Sequence, residues 1–334
     1  MGLTHQIVCF GFDRRLLLLK LKGRHEMVQR KYNKILVTGS NGFVGKALCQ
    51  TLRNRVDNYL GSVRVKALAI TGQDYIVVES LDANTNWRKA LDGCDTVVHL
   101  AGRAHILNDN IGDPLAAFRR TNMQGTLNLA EQAAECGVSR FIFVSSIGVN
   151  GAETSGLPFR PNDSPSPHSP YAVSKLEAEI GLRGIAKRTS LDVVIIRSPA
   201  IYGKNAPGNF GLIQKFIKYG IPLPFGSIDN KRSLVAIENV VSFITVCIEH
   251  QRAANELFLV SDDDDLSTLE IVELMGKLIG KKPKTVKLPL KLLWCIFTIL
   301  GKRKAGVSLM SDLQLDVDRS RELLEWSPPF SPRM

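Results

Sequence analysis

The sequence has few cysteines, and no two of them form a Cys-x-x-Cys pair. The six are scattered at Cys9, Cys49, Cys94, Cys136, Cys247 and Cys295. Zinc sites and disulfide frameworks need closely spaced or patterned cysteines, so neither is expected here and no metal ion is predicted. Isolated cysteines are typical of reduced thiols in the cytoplasm, which is the predicted location.

Long apolar runs are also lacking. Residues 288–300 are the most apolar stretch, but they are too short and too interrupted to span a bilayer. They are predicted to form a buried helix, and peripheral contact with a membrane surface is the alternative because three basic residues follow at 302–304. The short run at 16–19 is bracketed by charges too closely for a signal-peptide core, so residues 1–32 are interpreted as a basic extension.

Acidic residues are scarce only in certain regions of the chain. The net charge is +11, but residues 1–34 and 277–304 together carry +15 and leave −4 for the rest. Nucleic-acid binding normally uses a basic face of the folded domain, and basic residues interleaved with aromatic ones are absent. The charge distribution therefore argues against a nucleic-acid partner.

Short runs rich in β-branched residues alternate with helical patterns along the first 200 residues. This alternation is typical of a doubly wound α/β fold, whose parallel sheet is buried on both faces. Helices are predicted at 44–52, 115–136 and 174–186, and strands at 34–38, 63–70, 75–78, 96–100, 141–144 and 193–196.

The rhythm changes after Arg197, where Gly and Pro become frequent. We predict a dinucleotide-binding Rossmann domain at 33–198 and a mainly substrate-binding lobe at 199–334, with 233–261 returning to the first domain. A last strand is expected at 256–260. The acidic cluster 262–265 is predicted to be a solvated turn before a helix that begins near Ser267.

A glycine-rich turn follows the first predicted strand and opens the first predicted helix. It reads Gly39-Ser40-Asn41-Gly42-Phe43-Val44-Gly45. Glycines at such a turn permit a tight bend and a close approach to a pyrophosphate, which then faces the positive end of the helix dipole. This segment is predicted to bind a dinucleotide.

An acid at the end of the second strand would hold the adenosine ribose of NAD. The predicted strand instead ends Ala69-Ile70-Thr71-Gly72, without a carboxylate. Thr71, Gln73 and Lys46 are candidates to accommodate a 2′-phosphate. NADP is therefore at least as well supported as NAD.

Tyr171 and Lys175 are four residues apart, a spacing that places them on one face of a helix about one turn from each other. A nearby ammonium stabilises tyrosinate, which lets the phenol exchange protons near neutral pH. Ser146 directly follows the run that contains the strand predicted at 141–144, on the rim where such sheets bind substrates. These three residues are the predicted catalytic group.

The glycine turn, Ser146, Tyr171 and Lys175, in this order, resemble the extended short-chain dehydrogenase/reductases, especially their nucleotide-sugar epimerase/dehydratase branch. The resemblance covers roughly residues 33 to 330. It implies a soluble enzyme that uses NADP or NAD. It also implies a homodimer, the assembly that members of this family commonly form. Further matching cofactor contacts are Leu100, Ala101, Gly102, Asn122, Ser198 and, as the acid that contacts adenine, Asp82.

The resemblance also implies a UDP-linked sugar as substrate. Asn209 and Arg232 lie in segments that look like those holding the nucleotide diphosphate, and Arg232 offers a fork suited to phosphate oxygens. Phe225 is a candidate to pack against the base, with loop packing as the alternative. Arg103 and Ser146 complete the predicted substrate contacts.

The reaction is narrowed by the two residues after Ser146. Sugar 4,6-dehydratases carry an Asp-Glu pair there, whereas this chain has Ile147-Gly148, so elimination lacks its acid and base. Reduction of a UDP-4-keto-6-deoxy-N-acetylhexosamine for surface polysaccharide is favoured. The alternatives are a 4-epimerase of UDP-glucose or UDP-N-acetylglucosamine, and a non-catalytic dinucleotide-binding redox sensor.

Overall fold

A computed structural model of the protein describes residues 34–53, 58–68, 72, 74–104 and 112–333. Thr71, Gln73 and the extension predicted at 1–32 lie outside these described residues.

The centre of the fold is a seven-stranded sheet in which every paired strand is parallel. The strands are β1 Ile35–Thr38, β2 Tyr59–Val63, β3 Tyr75–Val77, β4 Thr96–His99, β5 Arg140–Ser146, β6 Asp192–Ser198 and β9 Leu257–Leu259. Their order across the sheet is β3-β2-β1-β4-β5-β6-β9. The order reverses between β1 and β4, and ligands bind at such a switch point in doubly wound sheets. The predicted fold class is confirmed.

Helices cover both faces of the sheet, because neighbouring strand residues point to opposite sides. Ile35 and Val37 enter one core with the first and seventh helices, whereas Leu36 enters the opposite core with the fourth and fifth. The helices around the sheet are α1 Phe43–Arg53, α2 Arg88–Leu91, α3 Pro114–Phe118, α4 Gly125–Glu135, α5 Pro170–Arg188 and α7 Ile237–Glu249.

A second lobe has its own apolar core and a two-stranded parallel sheet of β7 Ile201–Tyr202 and β8 Val235–Ala236. From there the chain returns through α7, which packs on the first core, to β9, which pairs with β6. The remaining helices are α6 Gly208–Lys218, α8 Thr268–Leu278, α9 Leu290–Ile299, α10 Arg303–Met310 and α11 Asp318–Leu324.

The strand predicted at 63–70 is wrong in position. The observed strand β2 pairs with β1 from Tyr59 opposite Ile35, and it ends at Val63. The chain then turns into a short 3-10 helix at Lys66–Leu68, closed by a hydrogen bond from Leu68 N to Val65 O. Pairing with β1 fixes this strand, and residues 64–68, the described part of the run that follows, lie outside the sheet.

The prediction that the acidic cluster is a solvated turn is wrong for its first residue. Asp262 is buried, and it accepts hydrogen bonds from Tyr202 Oη at 2.6 Å, Asn239 Nδ2 at 2.6 Å and Ala236 N at 2.8 Å. Burial raises the pKa of this carboxyl to about 6. Asp262 thereby joins β7, β8 and α7, while helix α8 begins after Ser267 with a capping box to Glu270.

The prediction of a buried helix at 288–300 is also wrong. Helix α9 occupies this run, but its only buried residue is Leu293. Apolar composition normally predicts burial, yet most of this helix faces solvent. Among the described residues, no helix is both long enough and apolar enough to cross a membrane.

Candidate active site

The glycine turn is held by backbone geometry that only glycine allows. Gly39 has φ of +67°, and a Cβ there would lie 2.9 Å from Ala101 N. A Cβ on Gly45 would lie 2.1 Å from Gly39 O, so the helix could not approach the turn. Glycine at these positions thus lets α1 begin close against the turn, where the first N–H groups of the helix have no intrahelical acceptor.

A buried chain of hydrogen bonds joins the end of β1, just before this turn, to β4 and helix α4. His99 Nδ1 lies 2.7 Å from Thr38 Oγ1, and His99 Nε2 lies 2.9 Å from Thr126 Oγ1. Thr126 already donates to Asn122 O, so it accepts from His99 Nε2–H, which leaves Nδ1 to accept from Thr38. Burial lowers the pKa of His99 to about 3, so the ring is neutral.

The same chain positions the loop after β4. Thr38 Oγ1 accepts hydrogen bonds from both Leu100 N and Ala101 N at 3.2 Å. This brings the predicted cofactor residues Leu100, Ala101 and Gly102 against the glycine turn. The two segments lie more than fifty residues apart in the sequence, and the structure brings them together at the switch point.

Helix α5 presents Tyr171 and Lys175 from its first turns. Ser169 caps the helix by accepting from Ala172 N, and Pro170 occupies the first helical position. The helix therefore begins earlier than predicted, and Tyr171 stands near its positive end. Its half-buried ring packs edge-on against Phe118, with ring centroids 5.9 Å apart.

Lys175 is buried beside Tyr171. Its Nζ donates to Val144 O at 3.0 Å and lies 4.4 Å from the Phe143 ring centroid and 5.9 Å from the Tyr171 ring centroid. Burial lowers the pKa of this ammonium to about 8, which the nearby Glu179 carboxylate opposes.

Burial raises the pKa of the Tyr171 phenol to about 12, the direction opposite to the expected lowering. The reason is geometric, because the ammonium of Lys175 is directed at the Val144 carbonyl and desolvation of the phenol dominates.

Ser146 ends β5 directly opposite Ser198 at the end of β6. Its Oγ accepts a hydrogen bond from Gly148 N at 3.1 Å. That bond uses a lone pair of the oxygen and leaves the hydroxyl hydrogen to donate elsewhere. The Ser146 hydroxyl can therefore donate a hydrogen bond at the carboxyl edge of the sheet. The Ser198 hydroxyl already donates its hydrogen to Pro199 O.

Asn122 lies in a π-helical segment, Arg119–Gln124, inside the helix predicted at 115–136. It is buried, its Oδ1 accepts from Arg103 N at 2.7 Å, and its Nδ2 donates to Ser174 Oγ at 3.2 Å. The widened turn aims the amide at both partners, as π-bulges near functional sites often do. Asn122 therefore ties the loop after β4 to the helix that carries Tyr171 and Lys175.

A buried ion pair joins the strands that carry Ser146 and Ser198 to helix α5. Arg197 donates to Glu179 through Nη2 at 2.6 Å and through Nε at 3.1 Å, and both side chains are almost fully buried. Ser145 Oγ donates to the same carboxylate at 2.5 Å. Glu179 lies one turn beyond Lys175, so the pair fixes the helix against the sheet.

Sequence reasoning missed these supporting residues. His99 stands in an apolar strand and Glu179 in a polar helix, and nothing local marks either one. The only signal is position, because His99 directly precedes Leu100 and Glu179 follows Lys175 by four residues.

Asp82 is placed differently from the other predicted cofactor residues. Its carboxylate accepts from Asn84 N at 3.0 Å and lies 3.9 Å from Arg120 Nη2. Its side chain thus shapes its own loop after β3, and its contact with adenine stays a prediction.

The predicted substrate residues differ in their exposure and in their contacts. Arg103 lies 5.5 Å above the Phe118 ring that also contacts Tyr171, and Asn209 is exposed near the start of α6. Phe225 is 8% exposed in the core of the second lobe, which leaves little ring surface for a base. Arg232 donates one arm to Ser311 O at 2.7 Å, and burial lowers its pKa to about 10.

The fold and this arrangement define a dinucleotide-binding enzyme of the extended short-chain dehydrogenase/reductase class, in which the loop after β4 lies between the glycine turn and the lysine. More specifically, the chain belongs to the NAD dependent epimerase/dehydratase family, whose model matches residues 35–260. The family description names NAD, in agreement with the predicted cofactor, NADP or NAD.

The chain is similar to several known proteins over most of its length. It is 43% identical over 302 residues to a UDP-glucose 4-epimerase of Vibrio cholerae, covering 88% of this chain and 90% of that protein. It is 28% identical to N-acetyl-alpha-D-glucosaminyl-diphospho-ditrans,octacis-undecaprenol 4-epimerase of Escherichia coli O157:H7, covering 77% and 76%.

Solved structures share the fold. The complex of MoeE5 with UDP-glucuronic acid and NAD has a TM-score of 0.73 at 23% identity, covering 90% of this chain and 95% of that one. The Thermotoga maritima UDP-glucose 4-epimerase with UDP-glucose has a TM-score of 0.70 at 21% identity, covering 89% and 94%.

Proposed function

We propose that this enzyme inverts the configuration at C4 of a UDP-linked hexose by removing and returning a hydride there. The observation that carries the proposal is that Tyr171, Lys175 and Ser146 lie at the carboxyl edge of the sheet, where a Cβ on Gly102, in the loop that contacts the glycine turn, would lie 3.8 Å from Lys175 Nζ. The similarity to the Vibrio cholerae UDP-glucose 4-epimerase supports the choice of reaction.

The residues around the glycine turn fit a dinucleotide. A Cβ on Gly42 would lie 3.1 Å from Gly39 O, and a Cβ on Gly39 or Gly45 would lie closer still to neighbouring backbone, so glycine at all three positions lets α1 begin tightly against the turn. The first turn of α1 would hold the pyrophosphate, and Leu100 to Gly102 would line the ribose side. When bound, the dinucleotide supplies the hydride acceptor and donor.

Tyr171 is the proton-transfer residue in this proposal. As hydride leaves C4, the phenolate accepts the proton of the C4 hydroxyl, and the same proton returns to the oxygen when hydride comes back on the opposite face of the sugar. The phenol must therefore ionise more easily than it does in this structure, where burial raises its pKa to about 12. An ammonium turned from Val144 O toward the phenol would lower that pKa.

Ser146 and Lys175 support the transfer in different ways. The hydroxyl hydrogen of Ser146 is free to donate to the reacting oxygen, because its bond with Gly148 N uses a lone pair. Lys175 holds a positive charge inside the site, where a low dielectric strengthens its effect on Tyr171.

Dehydration of the sugar is disfavoured, because Ile147 and Gly148 stand where an acid and a base would be needed for elimination.

The substrate diphosphate is assigned to Arg232 in this proposal. One arm of the guanidinium donates to Ser311 O, which orients the side chain and leaves its other N–H groups for phosphate oxygens. Arg103, held by its backbone to Asn122, is assigned to the sugar side of the pocket.

The test is direct conversion of UDP-glucose or UDP-N-acetylglucosamine to its C4 epimer, followed by chromatography of the nucleotide sugars. Tyr171→Phe should lose at least about a hundredfold in kcat and retain UDP binding, since only the proton transfer is removed. Tyr219→Phe, at an exposed tyrosine in the second lobe, is the matched control and should keep full activity. Equal activity of the two variants would contradict the assignment.

Reduction of a UDP-4-keto-6-deoxy-N-acetylhexosamine is the second candidate, and the charge at the end of β2 favours it. Ser40 Oγ donates to Ser62 O at 3.0 Å, so the glycine turn lies against this strand end. The exposed residues just after it are Arg64, Val65 and Lys66, with two cations and no carboxylate. Cations there suit the 2′-phosphate of NADPH, the usual donor for one-way reduction.

The two candidates give different results with purified protein. Stoichiometric oxidation of NADPH by a UDP-4-keto sugar, with Arg64→Asp shifting the preference to NADH, would establish the reductase. Epimer formation without net change in dinucleotide would establish the epimerase.

A further inference from the structure

Helix α9 is apolar on the side that faces solvent as well as on the side that faces the core. Leu293 anchors it in the second lobe and is 1% exposed. Four outward residues at helical spacing form what we call the α9 stripe: Leu292, Cys295, Ile296 and Ile299. Ile299 is 84% exposed, and Leu300 just beyond it is 62% exposed. Soluble proteins seldom leave a contiguous apolar stripe of this kind uncovered.

Basic residues flank the α9 stripe at both ends of the helix. Residues 277–304 contain nine Lys or Arg and no acid. Lys287 and Lys291 are exposed beside the start of the helix, and Lys302 is exposed just past its end.

The residues that precede α9 contact a second segment with exposed apolar side chains. Leu223 N donates to Lys284 O and Lys281 Nζ donates to Lys218 O, so the loop after α6 lies against this segment. That loop adds the exposed apolar residues Tyr219 and Ile221.

We propose that the α9 stripe and its surrounding lysines bind the surface of an anionic lipid bilayer. A helix with an apolar outward face and basic flanks lies in the plane of the interface, with its apolar side chains among the lipid chains and its cations at the headgroups. The helix has ten residues and is about 15 Å long, half the thickness of a hydrocarbon core of about 30 Å. It lies on the membrane and does not cross it.

Charge favours a bilayer over two other partners that could cover the α9 stripe: a second copy of the protein and the amino-terminal segment of this chain. A second copy of the protein docked on the α9 stripe would bring two strongly basic segments together. Residues 1–34 carry eight Lys or Arg and two acids, so they too would be repelled. An anionic bilayer supplies both the apolar layer and the opposite charge.

The test is co-sedimentation of the full-length protein with vesicles of phosphatidylglycerol and phosphatidylcholine, compared with pure phosphatidylcholine. Binding is expected only with the anionic vesicles and is expected to fall as salt increases. Ile299→Glu should weaken partitioning about tenfold or more, because one large apolar side chain no longer enters the lipid. Lys287→Ala and Lys291→Ala should each weaken it about fivefold.

Leu157→Glu is the matched control, since Leu157 is 77% exposed and lies outside the α9 stripe, in the loop that hydrogen-bonds to residues 312–314. It should bind vesicles like the unmodified protein. All variants change exposed side chains, and circular dichroism confirms that each is folded. The proposal is overturned if anionic vesicles bind no protein at low salt or if Ile299→Glu binds as well as Leu157→Glu. It is equally overturned if Ile299→Glu converts a dimer to a monomer in the absence of lipid, which would make the stripe an interface between copies.

Discussion

Replacement of Glu179 by Gln tests whether the buried ion pair holds the active site together. The variant keeps the size of the side chain but leaves the Arg197 guanidinium, 3% exposed, without its opposite charge. Removing one partner of a buried pair typically costs about 3–5 kcal/mol. Since whole domains are stable by about 5–15 kcal/mol, this loss would remove a large share of the free energy of unfolding.

Urea unfolding followed by circular dichroism measures the loss. Glu135→Gln is the control, because Glu135 pairs with Arg88 at 2.6 Å but both side chains are more than half exposed. An exposed pair contributes at most about 1 kcal/mol. The double variant Glu179→Leu/Arg197→Met should recover much of the lost stability, since no charge is then buried alone. A Glu179→Gln loss no larger than that of Glu135→Gln would refute the reasoning.

Three further predictions concern the site itself. Gly45→Ala should abolish dinucleotide binding in a fluorescence titration, since its Cβ would lie 2.1 Å from Gly39 O, whereas Gly184→Ala, with open space around it, should bind normally. His99 should keep a neutral Nε2–H ring in nitrogen-15 spectra across the neutral range, because burial lowers its pKa to about 3; a titration in that range would contradict the hydrogen-bond chain. Because burial lowers the pKa of Lys175 from 10.5 to about 8, the folded protein releases this proton at a lower pH than the unfolded chain does. The free energy of unfolding in urea should therefore rise between pH 8 and about 10.5, and Lys175→Met should remove this rise.

Local patterns predicted the parts of the site that lie within one segment. The glycine turn and the spacing of Tyr171 and Lys175 depend on neighbouring residues, so the sequence displays them directly. The strand ends also followed from the alternation of strands and helices, which placed Ser146 at the carboxyl edge of a parallel sheet.

Parts that depend on distant partners could not be read in this way. The partners of His99 lie 61 and 27 residues away, and Glu179 is paired across 18 residues of chain. The position of β2 is set by its register with β1, whereas the sequence offered the longer apolar run at 63–70. Composition alone likewise predicted that α9 would be buried.

The π-helical segment around Asn122 constrains how this part of the chain can vary in length. A turn with an extra residue separates α3 from α4, and each residue of a helix rotates the rest of that helix by about 100°. Deleting one residue between Phe118 and Gly125 would restore an ordinary helix but swing Leu129, Ala130 and Ala133 out of the core. Homologous chains that keep the amide at this position are therefore expected to preserve the number of residues here, even where their side chains differ.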